Sequence, residues 1–241
     1  MPSKNLYDYK IINKLEQKIK IKIKNKDLFY EALTHKSYLY INPYHHWKDN
    51  ERLEFLGDAI IEFSISKYLF DNLPGYSEGF LTLIRSSLVN REKLFDSAEN
   101  MGLRDLMFYN KNLDEKGIKT ILSDGFEALT AAIFLDNGFE TVNIFLIDNL
   151  TKDLDYIIEN KLYKDPKSKL QEYLQLKYKK LPKYSIIRTE GPEHHKKFIV
   201  GLFLDDKLIS VGEGESKQTA ELNAAIKALN KFNLLYNKNI N

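Results

Sequence analysis

No cysteine occurs in the chain. Disulfide staples and thiolate metal sites are therefore excluded, and any metal must be held by oxygen or imidazole ligands. Also missing is any run near the roughly 18 uninterrupted apolar residues of a membrane span. Met1–Lys26 is studded with lysine and lacks the apolar core of a signal peptide, so a soluble, cytoplasmic protein without a membrane partner is expected. Tryptophan is nearly absent: Trp47 is the only one, which offers little to an aromatic-lined sugar cleft.

What remains is ample for folding. With 241 residues, 43% hydrophobic and 29% charged, the chain can bury one large core or two ordinary ones. The net charge of +2 hides an asymmetry, because residues 1–160 carry 20 Lys/Arg against 25 Asp/Glu and residues 161–241 carry 16 against 9. A basic C-terminal piece points to a polyanionic partner. A general lysine bias in composition would not give the two halves opposite signs.

Amphipathic periodicity predicts helices over Leu28–Leu39, Asn50–Phe70, Gly79–Gly102, Ser123–Asp136 and Thr141–Asn160, with no convincing strand among them. Asn42-Pro43, Leu73-Pro74-Gly75 and Asn137-Gly138 punctuate this region. After a short linker at 161–164 the texture changes. Asp165-Pro166 opens a helix near Lys167–Lys177, three strands follow at Tyr184–Thr189, Lys197–Leu204 and Lys207–Glu213, and a helix at Ser216–Leu235 closes the chain. Gly191-Pro192 and Asp205-Asp206 mark the turns. The expectation is a mainly α domain over residues 1–160 and a small α+β domain, α-β-β-β-α, over residues 165–236.

The chemistry-bearing segment is Asn50–Glu62. At 100° per residue Glu51, Glu54, Asp58 and Glu62 lie within about 80° of one another on a helix, with Leu53, Leu56, Ile60 and Phe63 supplying apolar packing. A second helix carries Asp124 and Glu127 on one face, with the small residues Ala128 and Ala131 beside them to permit close approach. For either helix alone, a solvated acidic face explains the spacing as well. Two such helices, with acids set in apolar runs, are better explained by convergence. Like charges about 4 Å apart repel by about 4 kcal/mol at an effective dielectric near 20, so a cation must lie between them. Oxygen ligands favour a hard divalent ion, Mg²⁺ first and Mn²⁺ as a stand-in, and the natural chemistry is phosphodiester hydrolysis.

These segments resemble bacterial ribonuclease III. Glu51–Ala59 (ERLEFLGDA) matches that family's signature motif. Ala32–Tyr38 (ALTHKSY) resembles its upstream motif, Leu88–Leu94 (LVNREKL) its mid-domain motif and Ser123–Asp136 its second acidic motif. Two small-for-small exchanges depart from the family, Gly125 for its alanine and Ala131 for its glycine. The resemblance implies the family's helical endonuclease fold and double-strand-specific endoribonuclease activity. It also implies that Glu54, Asp124 and Glu127 bind the catalytic Mg²⁺, with Asp58 completing the cluster, and that Glu51 lies near the RNA or the subunit interface. A homodimer is implied as well, with 5′-phosphate and 3′-hydroxyl products, and processing of structured precursors such as ribosomal and messenger RNA.

In the C-terminal piece, Ser168, Gln171, Glu172 and Gln175 share one polar helix face able to bond ribose 2′-hydroxyls, while Leu170 and Leu174 point to a core. His194 follows the Gly191-Pro192 turn, and Lys217 opens the last helix, where phosphate is favoured. Singly each has a dull explanation. Together they resemble a double-stranded RNA-binding domain, which implies RNA contacts from all three places. Gln218 stands where that family commonly has a second lysine. Two other functions fit part of the pattern. A non-catalytic duplex-RNA-binding protein would have no need of all four acids, and a hydrolase of small phosphate esters would leave duplex RNA uncut.

Overall fold

In a computed structural model of the chain, the described residues are 6–43, 47–160, 163, 165–192, 196–232 and 234. They fall into two compact units, Met1–Ile158 and Glu159–Asn241. The first contains α1 (Leu6–Ile19), α2 (Lys26–Ala32), α3 (Lys36–Ile41), α4 (Glu51–Asn72), α5 (Glu78–Leu88), α6 (Arg91–Met101), a 3₁₀ turn at Leu103–Asp105, α7 (Glu115–Asn137), α8 (Phe139–Leu150) and α9 (Leu154–Glu159), the last running to the boundary. The second contains α10 (Pro166–Tyr178), β1 (Lys183–Glu190), β2 (Lys197–Leu204), β3 (Lys207–Gly214) and α11 (Lys217–Lys231). The mainly α plus α+β expectation holds.

Three of the predicted helices are each two helices in the structure, and the breaks have local causes. Leu28–Leu39 is interrupted at Leu33–His35, where the backbone leaves α2 to bond Phe108: the Phe108 amide donates to Leu33 O and the His35 amide to Phe108 O. His35 then caps α3, its Nδ1 accepting from the Ser37 amide at 3.1 Å. Gly79–Gly102 breaks at Asn90, whose Nδ2 donates to Ser86 O and Ser87 O while its Oδ1 accepts from the Lys93 amide at 3.0 Å. One asparagine thus ends α5 and starts α6. Thr141–Asn160 breaks at Thr151, which closes α8. Helix α7 begins earlier than Ser123 because Asp114 caps it, accepting from the Gly117 amide at 2.8 Å. Helix α1, absent from the periodicity reading, buries Ile12, Leu15 and Ile19. Trp47 stacks on Tyr30 with ring centroids 4.0 Å apart, a packing role.

The centre of the first unit is the α4–α7 pair. Leu53, Ile60, Ile61, Ile65 and Leu69 of α4 and Phe126, Leu129 and Ile133 of α7 are buried. Leu53 and Ile60 behave as expected, Leu56 is half-buried, and Phe63 is 58% exposed, so its expected place in the packing is corrected. At Gly57 the two helices touch through their backbones: a Cβ there would lie 1.8 Å from Glu127 O. The start of α4 is pinned by Asn50, fully buried, whose amide donates to Thr34 O at 2.9 Å and whose Nδ2 donates to Ala32 O at 3.2 Å.

The second unit packs α11 on β2 and β3 of an antiparallel sheet of order β1-β2-β3, with α10 against α11. Its core is Leu170, Leu174, Leu202, Ala224, Ala225, Ala228 and Leu229. Asp165 caps α10 and Pro166 occupies its first turn, while Ser216 caps α11 by accepting from the Thr219 amide at 3.1 Å. The linker at 161–164 lies outside the described residues except for Tyr163.

Gly57→Ala tests the close approach. In an unconstrained helix this change stabilises by about 1 kcal/mol, but a methyl against Glu127 O must part the helices, at a cost of about 1–3 kcal/mol or more. Denaturant unfolding is expected to show net destabilisation; equal or higher stability would contradict backbone contact at this point.

Candidate active site

Helix α4 carries Glu54 and Asp58, and α7 carries Asp124 and Glu127. The Gly57 contact brings the backbone of Glu127 against α4, and side chains one turn away on either helix have little room to avoid one another. One carboxylate oxygen each from Glu54, Asp124 and Glu127 lie within 4.8 Å of one another, all three residues half-buried. Asp58 is exposed and outside that group, acting on Glu127 through its charge. Two further acids of the α4 line are engaged elsewhere. Glu51 pairs with Lys36 at 2.5 Å, which holds its carboxyl below the usual range, and Glu62 pairs with Arg85 Nε at 2.8 Å.

Among the described residues no Lys or Arg comes within ion-pair distance of the three clustered carboxylates. Like charges about 4.8 Å apart repel by about 3.5 kcal/mol at an effective dielectric near 20. Burial and mutual repulsion accordingly push the protons on. Glu127 is raised to about 8, by burial first and then by Asp124, Asp58 and Glu54. Glu54 is raised by burial, Asp124 and Glu51, and Asp124 is raised by burial. Arg91 opposes all three shifts from a distance, and Lys36 opposes two.

The donor set fits a hard divalent ion: three carboxylates, no thiolate, no imidazole. Oxygens bound at about 2.1 Å to one Mg²⁺ are at most about 4.2 Å apart, so small rotamer changes would close the present group. A cation placed there would reverse the protonation preference, binding the charged forms.

Of the expected RNA-contacting residues, Ser168, Gln171, Glu172 and Gln175 are exposed along α10 while Leu170 and Leu174 are buried beneath them. Lys217 is exposed as the first residue of α11, and Gln218 is exposed beside it. His194 lies outside the described residues. Gly57 lies between Glu54 and Asp58 in the acidic motif, and its signal in the sequence is its place in mid-helix: a glycine there costs about 1 kcal/mol relative to alanine and marks a close approach. At the Gly125 departure, an added Cβ would lie 2.3 Å from Met107 Sδ, so the methionine fills the space an alanine would take.

The raised Glu127 carboxyl has a measurable consequence in the metal-free protein. Its proton is bound more tightly in the folded than in the unfolded chain, so its stabilising contribution is complete below pH about 4.5 and is lost as pH rises through about 8. In chelator, Tm is expected to fall between pH 5 and 9, and Glu127→Gln should flatten that fall. Added Mg²⁺ should raise Tm most at the alkaline end. An identical pH profile in the variant would contradict the buried, repelled carboxyl.

Comparison with known proteins meets this geometry from another direction. Residues 25–154 match the family model described as ribonuclease-III-like, and residues 166–232 match the double-stranded RNA binding motif. Ribonuclease 3 of Clostridium acetobutylicum is 40% identical over 223 residues, spanning 91% of this chain and 96% of that protein. Ribonuclease 3 of Pseudothermotoga lettingae is 36% identical over 234 residues, 95% of this chain and 98% of that one. A solved structure of the nuclease domain of ribonuclease III from Campylobacter jejuni, described for flexibility in a region involved in its dimer formation, superposes with a TM-score of 0.52. It is 35% identical and covers 60% of this chain and 99% of its own. Identity at this level over nearly the full length of both partners has one meaning: the chain belongs to the ribonuclease III family.

Proposed function

We propose that this ribonuclease III, a double-strand-specific endoribonuclease, cuts duplex RNA at the cluster of Glu54, Asp124 and Glu127, with Asp58 adding its charge at the exposed edge. The observation that carries this reading is the meeting of acids from two helices within 4.8 Å, in a chain whose family acts on RNA duplexes. A bound Mg²⁺, or Mn²⁺ in its place, supplies Lewis-acid stabilisation of the phosphodiester in flight and activation of water. The chain's own task is to hold three half-buried carboxylate oxygens convergent, with no Lys or Arg among the described residues within ion-pair distance of them. Water oxygen adds to phosphorus as the P–O3′ bond breaks, leaving a 5′-phosphate on one fragment and a 3′-hydroxyl on the other.

Residues 1–160 form the catalytic piece in this reading and residues 165–236 the duplex-holding piece. Ser168, Gln171, Glu172 and Gln175 meet ribose 2′-hydroxyls, Lys217 meets phosphate, and His194 reaches the minor groove. Recognition is of A-form shape, because duplex RNA hides its base edges in a deep, narrow groove. Gln218 in place of a second lysine lowers the salt dependence slightly.

A homodimer is the proposed working form. It is supported by an exposed aromatic row on α4, where Phe55 is 81%, Phe63 58% and Phe70 72% exposed, and by a cavity of about 1010 Å³ between α4 and α5. Glu51, held by Lys36, belongs to the RNA-facing or interface edge. Among the described residues no helix is long and apolar enough to cross a membrane, which is compatible with processing of ribosomal and messenger RNA precursors in the cytoplasm.

Purified protein with Mg²⁺ is expected to cleave a perfect RNA duplex, and Glu127→Gln to bind it while cutting at least about 100-fold more slowly. Cleavage undiminished in the variant, or persisting in chelator, would remove the mechanism. Hydrolysis of a mononucleotide ester with duplex RNA left intact would favour a phosphate-ester hydrolase instead. Deleting residues 165–241 should weaken duplex binding at physiological salt while some cleavage survives at low salt, where Coulomb attraction is less screened. Equal activity of the truncated and full chains at both salts would make the second unit dispensable.

A further inference from the structure

The three charges that open α6 have different fates. Glu92 is ion-paired with Lys119 of α7, and Lys93 with Asp153 at 2.6 Å. Arg91, the first residue of the helix, is exposed, and its side chain makes no hydrogen bond or ion pair among the described residues. Its backbone, by contrast, is fixed. Asn90 caps the helix immediately before it, and Arg91 O accepts a hydrogen bond from Ser123 Oγ at 3.0 Å. Ser123 is 1% exposed and directly precedes Asp124. A free guanidinium is thus anchored by its main chain one residue from a carboxylate of the cluster.

Its charge is felt by Glu54, Asp124 and Glu127 alike, yet it closes on none of them. The other nearby cation differs: Lys36 is already tied to Glu51 at 2.5 Å. A resident counter-charge would gain most by forming an ion pair with a half-buried carboxylate. An unpaired arginine beside a divalent-ion site instead repels the ion it adjoins, and that cost is offset only when an anion arrives to bind both. A phosphodiester does this, since its two non-bridging oxygens match the planar guanidinium fork.

We propose that Arg91 is an RNA-phosphate contact of the catalytic unit, gripping the duplex backbone beside the carboxylate cluster. The inference rests on the nuclease reading above and adds to it a substrate-binding residue outside the acidic set and outside the RNA-binding module. Arg91 holds the strand at the site by charge and fork geometry. Its positive charge also weakens divalent-ion binding in the RNA-free protein.

The test uses the full chain with Arg91→Gln and Arg91→Lys, both at an exposed position, and compares melting temperatures first. Duplex RNA binding is measured in chelator across a salt series, and Mn²⁺ binding is measured on the RNA-free protein. Arg91→Gln is expected to weaken duplex affinity about 3- to 10-fold and to flatten the log–log salt slope by about 0.9 per lost phosphate contact. Arg91→Lys should keep the slope and lose part of the affinity. Mn²⁺ should bind Arg91→Gln more tightly than wild type. Unchanged duplex affinity and slope in Arg91→Gln, even with tighter Mn²⁺ binding, would overturn the proposal and make Arg91 a counter-charge only. So would equal losses in the Gln and Lys variants with no change of slope. Because binding is read in chelator, it decides on Arg91 independently of catalysis; failure of the wild type to cut with Mg²⁺ would sink the nuclease reading by itself.

Discussion

The backbone contact between Gly57 of α4 and Glu127 of α7 is the constraint on which the first unit depends. Without a side chain at residue 57 the helices approach until carbonyl meets Cα, and acids on both must then share a small volume. Core burial along the same pair, from Ile61 and Ile65 on one side and Phe126 and Leu129 on the other, holds them there. Packing therefore imposes an electrostatic conflict that hydrophobic burial outweighs, and the conflict is what makes the place receptive to a cation. The protonated state of Glu127, raised to about 8, is the resting compromise. Strain concentrated in this way at one site and offset by the surrounding fold is the common pattern of functional sites.

The periphery of the cluster is ordered by a few polar residues that each do two jobs. Asn50 fastens the start of α4 to the loop after α2. Asn90 ends one helix and begins the next, and so fixes where α6 starts relative to α7. Ser123, the residue before Asp124, ties that start to α7 by donating from its Oγ to Arg91 O. Positive charge near the cluster is handled unevenly: Lys36 is spent on Glu51, whereas Arg91 stays open to solvent. Three carboxylates and one uncommitted guanidinium form a surface with both signs in reach of each other, which suits a substrate that brings its own negative charge along with a metal.

Much of this was legible in the residues. The acid spacing on α4 and α7, the element order of the second unit and the bounds of β2 at Lys197–Leu204 follow from periodicity and turn chemistry. Helix breaks were not legible, because Leu33–His35 leaves its helix to satisfy the backbone of Phe108, more than 70 residues away in sequence, and periodicity sees only neighbours. Asn90 was readable in principle as a cap, but an unbroken apolar rhythm on both sides concealed it. Phe63 falls on the apolar arc of a helical wheel, yet the structure leaves that arc partly uncovered, since burial depends on what packs against a helix and not on the helix alone. Asp58 shows the same limit: it shares a face with Glu54, but only position relative to α7 decides which acids converge.

If the meeting of α4 and α7 builds a divalent-ion site, crystals of the full chain soaked in Mn²⁺ will show it by anomalous diffraction. The expected peak lies among the carboxylate oxygens of Glu54, Asp124 and Glu127. A peak held elsewhere, or none between the two helices at Mn²⁺ concentrations that sustain cleavage, would contradict such a site.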